Sequence, residues 1–265
     1  MAQQSILDFG CGDGTFLARL SSATPIGAYG CDLDEDSVRT CTERYGSKAH
    51  FFSIGAAPST LLPFPDGFFA AIVMCDVLEH LGTGNEGRVL SEVVRVLKPG
   101  GALILTVPHR GMFGWADPEN VKFRWPRLHK RLFSWLHGKD EYGKRYGDGR
   151  LRFGNFNPGA RWHRHYTLAE LNTVLCRCGV ETEAVRYFGL MFPFIFFGLS
   201  FCERLKMRFG WRLDWLIRRF WSLWDLDARV NLGRLSYNIA IRALKPAATI
   251  SASAAVTLNR RRVVI

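Results

Sequence analysis

Along residues 5–108 the apolar positions alternate between two patterns. Short unbroken runs at 5–9, 26–31, 68–74 and 102–107 are the kind buried in a parallel sheet. Between them apolar residues take helical spacing at 15–20. A helix is predicted to start at 77–81, and another covers 86–97, stopped by Pro99-Gly100-Gly101. The first run ends in Gly10-Cys11-Gly12-Asp13-Gly14, the second at Asp32 and the last at Pro108. Strand and helix in alternation predict an α/β fold with a doubly wound, mostly parallel sheet.

After Arg110 the pattern changes. Residues 111–160 are rich in Arg, Lys, Trp, Gly and Pro, with a short helix at 127–136, and read as a basic insertion or lid. A helix over 167–178 carries Thr167 and Glu170 as a capping box and Gly179 as its stop. Strands at 180–187 and 236–243 complete the sheet, and an aromatic, basic insertion at 189–234 separates them. The chain therefore divides into a core (1–110), a basic insertion (111–160), the rest of the sheet with its own insertion (161–246), and a tail (247–265). That tail, rich in Ala, Ser and Thr, is expected to be disordered.

Composition sharpens this division. The 265 residues are 48% hydrophobic and 22% charged, which excludes wholesale disorder. No run of 18 apolar residues and no basic-then-apolar leader is present, so a cytoplasmic chain without an ordinary membrane span is expected. Seven scattered cysteines do not form a disulfide framework, and the Cys176-Arg177-Cys178 pair lacks the spacing of a structural zinc site. Residues 1–110 hold 8 Lys/Arg against 12 Asp/Glu, whereas residues 111–265 hold 27 against 12. The second part is built to meet something anionic.

Three glycines directly after a strand let a ligand approach the backbone, and the helix that follows offers free N–H groups. Asp32, at the tip of the next strand, is placed to accept hydrogen bonds from both hydroxyls of a ribose. The third glycine comes one residue too early for a dinucleotide loop, and Asp13 inside the turn disfavours a pyrophosphate.

Ile6-Leu-Asp-Phe-Gly-Cys-Gly-Asp-Gly14 resembles the first motif of class I S-adenosylmethionine-dependent methyltransferases. Gly30-Cys-Asp32, Leu62-Pro-Phe-Pro-Asp-Gly-Phe-Phe69, Cys75-Asp-Val-Leu-Glu-His80 and Leu97-Lys-Pro-Gly-Gly-Ala-Leu103 follow in that family's order. The resemblance covers residues 5–108 well and 161–188 loosely. It implies a Rossmann-like fold and S-adenosyl-L-methionine as cofactor. It also implies that Asp8, Gly10, Cys11, Gly12 and Gly14 cradle the methionine moiety, that Asp32 and Leu33 hold ribose and adenine, and that Cys75 lines the cofactor. The family's adenine-contacting Asp is replaced here by Ala56 in Gly55-Ala56, and only four residues precede Ser5.

Methyl transfer from a sulfonium is an in-line displacement that needs alignment first, and a base only for a poor nucleophile. His80, His109 and His165, with His163, are the base candidates. Asp76, Glu79 and His80 fall on one helical face, similar to the acidic-His cluster of quinone-pathway O-methyltransferases. Helix capping by Asp76 is the plainer reading, and no metal is assigned. There is neither an Asn/Asp-Pro-Pro-aromatic element nor a Pro-Cys nucleophile, so transfer to oxygen, or to aliphatic carbon or nitrogen, of a small molecule remains.

Residues 187–202 are uncharged but, at ~24 Å as a helix, too short for a ~30 Å hydrocarbon core. Downstream, Leu213, Leu216, Ile217, Phe220, Trp221, Leu223 and Trp224 share one helical arc opposite arginines, as in an interfacial membrane helix. The competing reading packs that arc on this protein's own sheet or on a second copy. The expectation is O-methylation of a hydrophobic or lipid-linked small molecule, at the cytoplasmic face of an anionic membrane and without a nucleic-acid partner. A non-catalytic scaffold on a decayed fold and a nicotinamide-dependent reductase are the alternatives.

Overall fold

The first strand, β1 (Ser5–Phe9), turns through the three glycines into α1 (Thr15–Ala23), and the order then runs β2 (Gly27–Asp32), α2 (Glu35–Tyr45), β3 (His50–Ser53) and β4 (Phe69–Cys75). After one 3₁₀ turn at Leu78–His80 come α3 (Glu86–Val96) and β5 (Leu97–Pro108). The remainder comprises α4 (Pro126–His137), α5 (Leu168–Arg177), β6 (Glu181–Phe188), α6 (Phe192–Phe209), α7 (Asp214–Asp227) and β7 (Asn238–Leu244). This computed structural model describes residues 4–54, 61–81, 84–117, 120, 123–138, 140, 142 and 163–247.

The strands make one seven-stranded sheet in the order β3-β2-β1-β4-β5-β7-β6. All neighbours are parallel except β7, which runs antiparallel between β5 and β6. The carboxyl ends of β1 and β4 meet where the strand order reverses, the place where such sheets hold ligands. Leu7, Ile72, Leu103, Leu105, Ile239 and Ile241 are fully buried, and Leu90 and Val93 of α3 and Leu171 of α5 join their cluster. A smaller cluster packs Leu17 of α1 against Ala28, Ala49 and Cys11.

The Leu62–Phe69 motif is explained by one arginine. Arg95 bonds the carbonyls of Leu62 and Phe64 and the carboxylates of Asp66 and Glu92, clamping the loop before β4 onto α3. At the other end, the Thr167–Glu170 capping box and Gly179 at φ 81° bound α5 as the sequence predicts.

Several elements differ from expectation. The helix expected at 77–81 is a single 3₁₀ turn. β5 begins at Leu97 and runs through Pro99-Gly100-Gly101. α2 and β3 carry too weak a pattern to be read. Only Val38 and Cys41 of α2 are buried, and β3 is a four-residue edge strand.

The 189–234 insertion forms two helices, α6 and α7. The apolar arc of α7 is not free: Leu213, Leu216, Ile217, Phe220 and Trp224 are half-buried. The Phe220 ring fills the space over Gly198 of α6, and Trp224 lies 4.3 Å from Phe192, so this face packs on the protein itself. Trp215, Trp221, Leu223 and Leu226 remain exposed. No helix among the described residues is long and apolar enough to cross a membrane. The tail from 248 onward and most of 139–162 lie outside the described residues.

Candidate functional site

The glycine turn is shaped by what surrounds it. Gly10 has φ 82°, and a Cβ there would stand 2.4 Å from Val77 of the turn after β4, so the close approach of the two loops demands glycine. Gly12, at φ 51°, would place a Cβ with nothing within 4 Å, which is open space for a ligand against backbone. Asp13 is committed locally, accepting from the backbone N and hydroxyl of Thr15 at the start of α1.

Carboxylates crowd this end of the sheet. Asp32 accepts the Gly12 N–H at 2.9 Å through one oxygen and the Asp34 N–H at 3.0 Å through the other, which fixes it beside the turn while each oxygen keeps a lone pair. Asp8 is 5% exposed, and burial, then Asp32 and Asp13, push its carboxyl up to about 7. A buried acid among acids favours a cationic ligand. The ammonium and sulfonium of S-adenosyl-L-methionine fit that field, and a ribose fits Asp32. Cys11 is buried and its thiol pushed up by burial. Leu33 is half-buried after β2, and Cys75 is exposed at the end of β4. Ala56 lies outside the described residues.

Asp76, next to Cys75, is the residue that the sequence reading passed over as a helix cap. It is the only described non-glycine residue with positive φ, 53°, a strained conformation that recurs at functional sites. Its carboxylate accepts the Thr106 hydroxyl at 3.0 Å, and burial pushes it above the usual range. The strain was invisible in sequence, where Asp76-Val77-Leu78-Glu79-His80 reads as a helix start.

Asp76 also opens onto a recess of about 170 Å³, whose other walls include Phe188, Phe192, Ile195, Trp224, Asp227 and Asn238. The recess thus joins the cofactor edge of the sheet to the aromatic insertion. Asp227 holds that wall in place, accepting the N–H groups of Leu190 and Met191 at 3.0–3.1 Å and so tying the end of α7 to the start of α6.

The expected histidines sit elsewhere. None of them lines this recess. His109 is 4% exposed, its Nδ1 lies 3.1 Å from the Ser236 carbonyl, and burial lowers its pKa. His165 has both ring nitrogens engaged, Nε2 by Asp117 at 2.6 Å and Nδ1 by the His109 carbonyl at 3.0 Å. It therefore has no nitrogen left for an acceptor's proton. His80 is half-buried and lies 4.8 Å from the His163 ring. His163 is buried, with Nδ1 2.6 Å from Asp117. Although burial opposes it, the hydrogen bonds from His163 and His165 hold the Asp117 carboxyl well below the usual range.

Comparison with known proteins bears on the core. Residues 7–105 match the model of a methyltransferase domain family. The chain is similar to a tRNA (carboxymethyluridine(34)-5-O)-methyltransferase of Arabidopsis thaliana, 35% identical over 103 residues, 38% of this chain and 23% of that protein. It is also similar to a fatty-acid O-methyltransferase of Mycolicibacterium smegmatis, 36% identical over 104 residues, 38% of this chain and 36% of that protein. The chain thus spans well under half the length of these curated relatives. A solved S-adenosylmethionine-dependent methyltransferase of Methanosarcina mazei superposes with a TM-score of 0.51 at 21% identity, covering 93% of this chain and 94% of that one, and so shares the fold.

Proposed function

We propose, from the class I S-adenosylmethionine-dependent methyltransferase domain that residues 7–105 form, that this chain transfers a methyl group to an oxygen of a hydrophobic or lipid-linked acceptor. The observation that carries the acceptor class is the recess running from Asp76 to Phe188, Phe192, Ile195 and Trp224. An apolar acceptor seated against those rings would present its polar end to Asp76 and to the cofactor edge. The choice of oxygen is supported by the two relatives, both of which are O-methyltransferases.

When bound, S-adenosyl-L-methionine supplies the electrophilic methyl group. The protein's part is to hold the cofactor's cationic end among Asp8, Asp32 and the glycine turn, and to align the acceptor. For a hydroxyl acceptor, Asp76, which lines the recess and whose carboxyl burial raises above the usual range, would take the proton. A carboxylate acceptor would need no base.

Membrane proximity belongs to the same proposal. Trp211, Trp215 and Trp221 are exposed on the insertion, and Trp135 of α4 lies 6.2 Å from Phe209 at the end of α6, extending an aromatic ridge in the basic part of the chain. Such a ridge suits the headgroup region of an anionic, cytoplasm-facing bilayer. The test is methyl transfer from labelled S-adenosylmethionine to long-chain acids, phenols and isoprenoid alcohols on anionic vesicles, with tRNA alongside. Labelled lipid-phase product supports the reading, and labelled tRNA with unlabelled lipid overturns the acceptor class.

A further inference from the structure

Methyl transfer leaves one cluster unused. Glu79, in the turn after β4, is 2% exposed, and neither of its carboxyl oxygens has a hydrogen-bond partner. Facing it at 3.8 Å is Nε2 of His163, also buried and also without a hydrogen-bond partner. That separation is too long for a hydrogen bond. Buried polar groups left unbonded are costly, so two that face one another across a gap point to something held between them. His80 adds a third donor: one ligand atom from each of Glu79, His80 and His163 lies within 4.8 Å of the others.

The groups that would orient these ligands are in place. His163 Nδ1 donates to Asp117 at 2.6 Å, which fixes the ring and turns the other nitrogen toward Glu79. Asn120 holds the same residue through its backbone, donating to the His163 carbonyl at 2.9 Å and accepting its N–H at 2.8 Å.

We propose that Glu79, His80 and His163 bind one divalent transition-metal cation, with Zn²⁺ the best match, and that Asp117 is the positioning residue of that site. Two imidazoles and one carboxylate suit zinc better than magnesium or calcium, which prefer all-oxygen shells. With Zn–N and Zn–O bonds near 2.0–2.1 Å, two ligand atoms on a tetrahedral ion stand about 3.3 Å apart. A small closure of the 3.8 Å gap would therefore suffice. Three protein ligands leave the fourth position to water or another oxygen. Asp76 is not a member, because its carboxylate is turned to Thr106. The ion would pin the segment before α5 to the turn after β4, beside the residue that faces the recess.

The experiment uses the full chain, stripped with a chelator and titrated with Zn²⁺ and with Co²⁺ as a spectroscopic probe. About one equivalent should bind. Bound Co²⁺ should show the visible bands of a four-coordinate nitrogen–oxygen site without thiolate charge transfer. Glu79→Gln and His163→Gln should each weaken binding at least about 100-fold, and Asp117→Asn by about 10–100-fold. Zn²⁺ should raise the melting temperature of the parent but not of Glu79→Gln. Should either buried variant fail to fold, half-buried His80→Gln carries the same expectation. No binding by the stripped parent, a thiolate spectrum, or undiminished binding by the variants would overturn the proposal. S-adenosylhomocysteine affinity measured on the same samples keeps this outcome separate from the methyltransferase reading.

Discussion

Two walls near the carboxyl edge of the sheet are made of different materials. On one side the glycine turn, Asp8 and Asp32 present backbone and buried carboxylates on the ends of β1 and β2. On the other side α6 and α7 present Phe192, Ile195 and Trp224, and hydrogen bonds serve mainly to hold the wall itself. The first wall suits charge and hydroxyls, and Gly10 and Gly14 leave no room there for a side chain. The second suits an apolar ligand, the acceptor proposed above. The family match ends at residue 105, so it covers the first wall and none of the second. Cofactor binding and the proposed acceptor site thus lie in separable parts of the chain.

Damage to one wall should leave the other working, and both can be read in the same variant. Gly12→Val would fill the open space over the turn and strain a backbone at φ 51°. It should abolish S-adenosylhomocysteine binding in calorimetry while vesicle association persists. Asp76→Asn should lower kcat on a hydroxyl acceptor by about 100-fold with cofactor affinity unchanged. In the parent, kcat should fall as pH drops through the raised Asp76 pKa, and Asp76→Asn should lose that limb.

Asp8 gives a pH signature of the polar wall alone. Its folded pKa of about 7 exceeds the unfolded value near 4, so the folded state holds the proton more tightly. The ligand-free protein should therefore lose stability as pH rises from about 4 to 7, whereas Asp8→Asn should lose less, as melting temperatures will show. Binding of a cationic ligand near pH 6.5 should release a proton, seen as a buffer-dependent enthalpy that disappears in Asp8→Asn.

On the apolar wall, Gly198→Ala would drive a methyl into the Phe220 ring and should cost about 1–3 kcal/mol in denaturant unfolding. Acceptor KM should rise several-fold without a change in cofactor affinity. The smallest effect is expected outside both walls. Trp211→Ala with Trp215→Ala should reduce flotation with anionic vesicles, and added salt should reduce it further, while turnover of a short soluble acceptor is kept.

How far each wall could be read in the sequence follows from its physics. Local backbone demands leave local marks: Gly10, Gly12, Asp32 and the Thr167–Glu170 box are spelled out within a few residues. The unbroken runs of β1 and β4 are legible because most positions on both faces are at least half-buried; in β5 Leu103, Leu105 and Val107 are fully buried while Ile104 on the other face is exposed. Tertiary facts leave no such marks. The α7 arc looks the same in sequence whether it meets lipid or α6, and only the Phe220 ring over Gly198 decides. Asp76 reads as a helix cap until its φ is seen, and the histidines read as bases until Asp117, more than 40 residues from His163 and His165, is found between them.

The polar wall is expected to hold S-adenosyl-L-methionine through Asp32 and the glycine turn. Calorimetric titration of the purified chain with S-adenosylhomocysteine, with NADH in parallel and Asp32→Ala as the paired variant, tests it most directly. S-adenosylhomocysteine alone should bind, and binding should be lost in Asp32→Ala. No binding by the parent, equal binding by Asp32→Ala, or NADH binding that survives excess S-adenosylmethionine would contradict it.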